Sequence, residues 1–349
     1  MDEPVRIAVV GLGYWGPNVL RNLQELEQAE VSHVCDLRSE PLAQALRRYP
    51  TLSSSADFDA VLADPAVEAV ALCTPVATHH ALASRALAAG KHVFVEKPLA
   101  GSSSEGRELM DAAEAAELVL MPGHTFLYSP PVTLSKELIQ GGALGEIYFI
   151  TTSRVNLGLH QSDVSVVWDL APHDFSILRY WLDDVPTRIS ALSRSCMVEG
   201  TADVAFIDLE YASGTIVHAE IAWLAPGKLR RTAVVGSEKM LVYDDTSNEP
   251  VRIFDSGADL PDPESFGEYR LSYRTGDIVS PSVEAHEPLS LELADFCHAV
   301  RTGEEPRSSA ALGLDVVSMM ESVDLSLAGG GQPVAHEALT VGGGERWRP

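Results

Sequence analysis

The chain opens on Val5-Arg-Ile-Ala-Val-Val10, a short apolar run rich in β-branched residues, and turns at once through Gly11, Gly13 and Gly16. Apolar side chains then recur at helical spacing at Val19, Leu20, Leu23 and Leu26. Further β-like runs lie at 31–36, 68–74, 92–96 and 118–121, with helical patterns at about 77–89, closed by Gly90, and at about 103–116. Strands that alternate with helices in this way predict a parallel, doubly wound sheet. The expected first domain is a Rossmann domain over residues 1–124.

Past residue 125 the pattern changes. A long strand is expected at 145–155 and a helix at 167–182, followed by strands at 187–196, 202–211, 215–223, 229–235 and 240–243 with little helix between them. Ala212-Ser-Gly214 is the turn of a hairpin. A late helix spans 289–300, and the glycine-rich stretches at 329–333 and 342–344 read as loop. The whole of 125–349 is expected to be one α+β domain on a mostly antiparallel open sheet, serving substrate binding and oligomerisation. Runs such as Val204–Tyr211 alternate apolar and mixed positions. Helices of one domain cover one face of such a sheet, so the other face is expected to meet a second copy in a homodimer or homotetramer.

Charge narrows the partners. Twenty-five Lys and Arg stand against fifty Asp and Glu, a net charge of −25. That field repels nucleic acid and anionic membranes, and neither is expected as a partner. No apolar run approaches the ~20 residues that span a bilayer, and the first residues lack the basic flank of a signal peptide, so a cytoplasmic protein is expected. Cys35, Cys73, Cys196 and Cys297 form no CxxC pair, and three of them read as buried free thiols. No Cys/His set suits a zinc ion, and no metal is expected.

The glycine turn carries the first chemistry. The glycines at 11, 13 and 16 permit a tight turn, a close approach of backbone to pyrophosphate, and close helix–strand packing; the helix start that follows holds phosphate. Tyr14 and Trp15, inside the turn, are expected at the cofactor too. Asp36 closes the second strand 20 residues after Gly16. There it accepts ribose hydroxyls, which favours NAD, whereas Arg38 could face the 2′-phosphate of NADP. Thr74-Pro75-Val-Ala-Thr-His79 follows the fourth strand, and Glu96-Lys97-Pro98 ends the fifth, at the edge where open α/β sheets bind ligands. Thr74, Pro75, His79, Glu96 and Lys97 are therefore expected beside the cofactor. A lysine at that edge can also orient or polarise a substrate oxygen.

These motifs, with Ala89-Gly-Lys-His-Val-Phe-Val-Glu-Lys-Pro98 foremost, resemble the Gfo/Idh/MocA oxidoreductases, over nearly the whole chain. The resemblance implies a Rossmann domain, a sheet-based second domain, a cis Lys97–Pro98 bond, self-association and hydride transfer at a sugar carbon. It also directs attention to Asp169 and His173, which match the family's Asp, three residues, then His. Their spacing puts them on one helix face, and Pro172 suits a first helical turn. Ala171 stands where family members usually carry glycine. The expected division of labour is His173 as acid/base, Lys97 as oxygen-orienting cation and Asp169 as orienter or substrate acceptor, with Lys97 as base the alternative. Tyr128, Arg154 and Asn156, with the loop through His160 and Asp163, are candidate substrate contacts. His79, His80 and His124 are expected to be structural or to lie at the cofactor edge, not to be catalysts. Asn18, Arg21 and the 154–158 stretch look like family members that act on nucleotide sugars, for which Arg154, Arg230 and Arg231 are the available cations. The alternatives are an inositol or free-sugar dehydrogenase and, in another class, a non-catalytic dinucleotide sensor.

Overall fold

The computed structural model describes residues 3–158, 164–259 and 272–339. They form two compact units. The first holds residues up to 128, residues 286–318 and the described residues from 338 on; the second holds 129–285 and 319–337. Where the sequence suggests one continuous second domain from residue 125, the chain instead returns to the first unit at 286–318. Polar anchors explain the return. Arg301 forks onto Glu68 at 2.8 and 3.0 Å and donates to the carbonyls of Glu3 and Pro4 at 2.7 Å.

The first unit is built on six parallel strands: β1 (Val5–Val10), β2 (Ala29–Cys35), β3 (Ser53–Ser55), β4 (Ala69–Leu72), β5 (His92–Glu96) and β6 (Leu120–Gly123). Their order is β3-β2-β1-β4-β5-β6, and it reverses between β1 and β4, the crevice where such sheets take ligands. The connecting helices are α1 (Gly16–Glu25), α2 (Ser39–Arg48), α3 (Phe58–Leu62), α4 (His79–Ala88) and α5 (Ser103–Ala115). Helix α5 starts where the Ser102 hydroxyl accepts from the Glu105 N–H at 3.2 Å, a cap that leaves fewer unsatisfied amides. β4 is wholly buried, and β1 and β5 are buried at all but one residue each, as runs covered on both faces should be. β3, three serines, carries no apolar signal and was not foreseen.

In the second unit α6 (Pro130–Gln140) precedes β7 (Ile147–Leu157) and α7 (Val166–Leu182). The strands β8 (Arg188–Arg194), β9 (Val204–Glu210), β10 (Ile216–Ala222), β11 (Leu224–Gly236), β12 (Met240–Asp244), β13 (Val251–Asp259) and β14 (Ser272–Val279) follow. The late helices are α8 (Pro288–Thr302), in the first unit, and α9 (Ala310–Ala328), before a short β15 (Val334–Ala335). The nine-stranded sheet runs β14-β13-β12-β11-β7-β10-β9-β8-β15, antiparallel throughout except at β7–β10. Gly214 takes φ +90° in the β9–β10 turn, where a side chain would be strained. Alternation settles the faces. Ala205, Ile207, Leu209, Val217, Ala219 and Ile221 are buried, while Phe206 and Ile216 are exposed on the other side. No helix among the described residues is long and apolar enough to cross a membrane.

Candidate active site

The glycine turn has the shape the sequence requires. Gly11 sits at φ +86°, and a Cβ there would meet the Cys73 carbonyl at 2.7 Å; one on Gly16 would lie 2.0 Å from the Gly11 carbonyl oxygen. Gly13 differs. A Cβ there would meet nothing within 4 Å, so its backbone faces open space. No side chain caps the start of α1, and Tyr14 and Trp15 stand exposed beside it. An uncapped helix start beside an approachable backbone fits the pyrophosphate of a dinucleotide.

Asp36 lies 7% exposed at the end of β2. Its Oδ2 accepts from the Leu12 N–H at 2.7 Å and from Arg38 Nη2 at 3.0 Å; its Oδ1 accepts from the Arg38 N–H at 2.9 Å and from Nε at 3.0 Å. Burial pushes this carboxyl up, but the Arg38 and Leu12 donors outweigh it, and its pKa falls below the ordinary value. A carboxylate offers about four acceptor positions, and here all four are taken. Ribose hydroxyls therefore compete with the exposed arm of Arg38.

At the neighbouring strand ends Thr74 and Lys97 are half-buried and Pro75 is exposed. The Lys97–Pro98 peptide is cis, as the resemblance implies. Two of the expected cofactor contacts turn inward instead. His79 is 1% exposed, and its two ring nitrogens lie 2.8 Å from the carbonyls of Pro98 and Thr74. Glu96 is buried, and burial lifts its carboxyl to about 7 against the opposing charge of Lys97. Glu292, from α8, is buried within electrostatic reach of Glu96; burial raises its carboxyl well above the ordinary range, and Glu96 raises it further. Thr125 donates to it at 2.7 Å. His124 is buried here too, and burial, then Lys97, brings its pKa down to about 3. Glu292 was missed because nothing in a helical repeat says that one of its carboxylates faces a buried acid.

In the second unit Asp169 and His173 sit four apart on α7, half-buried, on one face. The Trp223 indole donates to Asp169 Oδ2 at 3.0 Å, and Gly158 packs so closely on Trp223 that a Cβ would meet its ring at 2.7 Å. Trp223 ends an apolar strand, and no sequence signal distinguished it from core. Asn156 is half-buried near the end of β7. Pro172 is not in a first turn: α7 begins at Val166, so the proline lies inside the helix and leaves the Trp168 carbonyl without its usual helical donor. Residues 159–163, with His160 and Asp163, fall outside the described residues.

Several expected substrate contacts are committed elsewhere. Arg154 is 4% exposed and grips Asp174 through Nε at 3.0 Å and Nη2 at 2.9 Å, joining β7 to α7. Tyr128 is buried in the first unit, where its hydroxyl donates to Asp295 at 2.6 Å and accepts from the Ser308 N–H at 3.1 Å. Both corrections have one cause: another element covers each side chain and supplies its partner, the next helix for Arg154 and residues 167 and 180 positions away for Tyr128. Arg21 bonds Glu25 and Glu287, and Arg230 pairs with Asp245 at 3.3 Å. Among the described residues no cluster of His, Cys, Asp and Glu could hold a metal ion.

Known proteins share both parts of this chain. Residues 5–124 match the family model described as "Oxidoreductase family, NAD-binding Rossmann fold", and residues 132–242 match "GFO/IDH/MocA C-terminal domain". The chain is 28% identical to scyllo-inositol 2-dehydrogenase (NAD(+)) of Bacillus subtilis over 321 residues, covering 88% of this chain and 89% of that one. Its fold superposes on UDP-N-acetylglucosamine 3-dehydrogenase GnnA from Acidithiobacillus ferrooxidans with a TM-score of 0.79 at 22% identity, over 94% and 99% of the two chains. GenD2 from gentamicin A biosynthesis, solved in complex with NAD, gives 0.82 at 24% identity over 97% and 98%.

Proposed function

Because the chain belongs to the Gfo/Idh/MocA oxidoreductase family, we propose that it is an NAD-dependent dehydrogenase of a secondary alcohol on the ring of a sugar or cyclic polyol. The observation that carries this is the pairing, at one edge of the first sheet, of an open glycine turn after β1 with a half-buried lysine after β5. Bound there, NAD supplies the hydride acceptor. Gly13 and the start of α1 hold its phosphates, and Asp36 accepts its ribose hydroxyls where they displace the arm of Arg38.

Lys97 contributes an ammonium that orients the reacting hydroxyl, and His173 takes the proton released as hydride leaves. Asp169, held by Trp223, orients the histidine or accepts a substrate hydroxyl. Such a set is needless in a non-catalytic sensor.

The nucleotide-activated sugar expected from the sequence loses its main support, since Arg154 is buried in its pair with Asp174. A free cyclic polyol or sugar, held through hydroxyls, fits better, in keeping with the inositol dehydrogenase similarity. Turnover is followed by NADH absorbance with inositols, free sugars and nucleotide sugars. Lys97→Met and His173→Asn should each lower kcat by ~10²–10⁴-fold with NAD affinity nearly unchanged. Retention of more than about a tenth of turnover by Lys97→Met would remove that residue from the mechanism. No turnover with any alcohol on the panel would favour the sensor.

A further inference from the structure

His79 opens α4, directly after the turn that follows β4. Its ring is enclosed between two backbone carbonyls that terminate neighbouring strands of the first sheet. Nδ1 lies 2.8 Å from the Pro98 oxygen and Nε2 2.8 Å from the Thr74 oxygen. Carbonyls only accept, so either neutral tautomer serves one of them and the doubly protonated ring serves both. Burial lowers the pKa of this ring, the two carbonyls oppose that, and the charge of Lys97 lowers it further. Lys97 is thus within electrostatic reach. With both nitrogens turned to backbone, the ring has nothing to offer a ligand directly.

What the ring does is join two loops. Pro98 follows Lys97 immediately, and Thr74 stands at the strand end beside it, because β4 and β5 are paired from Ala69↔His92 to Leu72↔Val95. A lysine's long side chain is aimed first by its backbone, and an error of about 1 Å in a reacting group can cost ~10²-fold in rate. We propose that His79 is a positioning residue for Lys97: standing at the start of α4, in the segment that follows β4, its ring holds the Pro98 carbonyl just after the lysine and so fixes where the ammonium stands. This rests on the role proposed for Lys97 above.

A double-mutant cycle separates positioning from a general structural effect. His79→Phe, Lys97→Met and the double variant are compared in kcat, in NAD affinity by titration calorimetry and in Tm. His79→Phe should lower kcat at least about tenfold with NAD affinity within about threefold, and His79→Gln, whose amide can donate to the carbonyls, should recover most of that loss. In the Lys97→Met background His79→Phe should cost less than about twofold, because the group it positions is gone. If His79→Phe fails to fold, His79→Asn, too short to span both carbonyls, takes its place in the cycle. The same fold-loss in both backgrounds, or a kcat within about twofold of wild type, overturns the proposal. Near-normal turnover by Lys97→Met alone overturns instead the reading of Lys97 on which it rests.

Discussion

Asp174→Asn is expected to destabilise the second unit strongly, although the substitution changes one atom. Arg154 and Asp174 have side chains only 4% and 3% exposed and meet through two parallel bonds of 3.0 and 2.9 Å. Burial alone lowers the arginine's pKa, yet the adjacent Asp174 carboxylate raises it above the ordinary value. Removing the carboxylate strands a guanidinium away from water, and breaking such a pair costs about 3–5 kcal/mol. Asparagine keeps one acceptor, and Asp245 also acts on Arg154, so the lower end, about 3 kcal/mol, is expected. Glu210→Gln is the control: its pair with Arg188 is roughly half exposed and should be worth under about 1 kcal/mol. Urea unfolding of the intact protein, followed by far-UV circular dichroism, measures both. A loss under about 1 kcal/mol for Asp174→Asn would refute the reading of a buried pair and return Arg154 to the candidates for substrate binding.

Three further outcomes are expected. Arg38→Ala frees two acceptor positions on Asp36 and should lower the KM for NAD, whereas Asp36→Ser should narrow or invert the preference over NADP; a wild type that prefers NADP would show that Arg38 outweighs Asp36. Glu96 has a folded pKa of about 7 against 4.5. The fold therefore binds more protons than the unfolded chain in that window, and stability falls as pH rises through it, by up to about 3 kcal/mol. Glu96→Gln should make this decline shallower, the raised carboxyl of Glu292 leaving a decline of its own, and equal slopes for the two proteins in urea unfolding at stepped pH would contradict it. The exposed apolar side chains Tyr148, Phe149, Leu192, Phe206 and Ile216 on the second sheet should mediate self-association, and a monomer by sedimentation at micromolar concentration would argue against that.

Local periodicity made much of the architecture legible. The glycine turn, the strands at 5–10 and 92–96, α7 and the β9–β10 hairpin are each written in a few consecutive residues, because turn chemistry and one-face burial act over short spans. Other elements escaped: β3 is all serine, β13 and β14 lack a continuous apolar signal, and α6 and the long apolar α9 carry no alternation with polar positions clear enough to mark them.

By itself the sequence determined where dinucleotide binding can occur. Gly11 and Gly16 tolerate no Cβ, and that constraint lies within six residues. It also marked Asp36, Lys97, Asp169 and His173, whose motifs are local. Only the tertiary structure decided what surrounds them. It gave Arg38 to Asp36, Trp223 to Asp169, Asp174 to Arg154 and Asp295 to Tyr128, and it turned His79 onto two carbonyls. The physical reason is that a polar side chain's role is set by the partner that satisfies it once water is excluded, and most of these partners are brought in by another part of the chain.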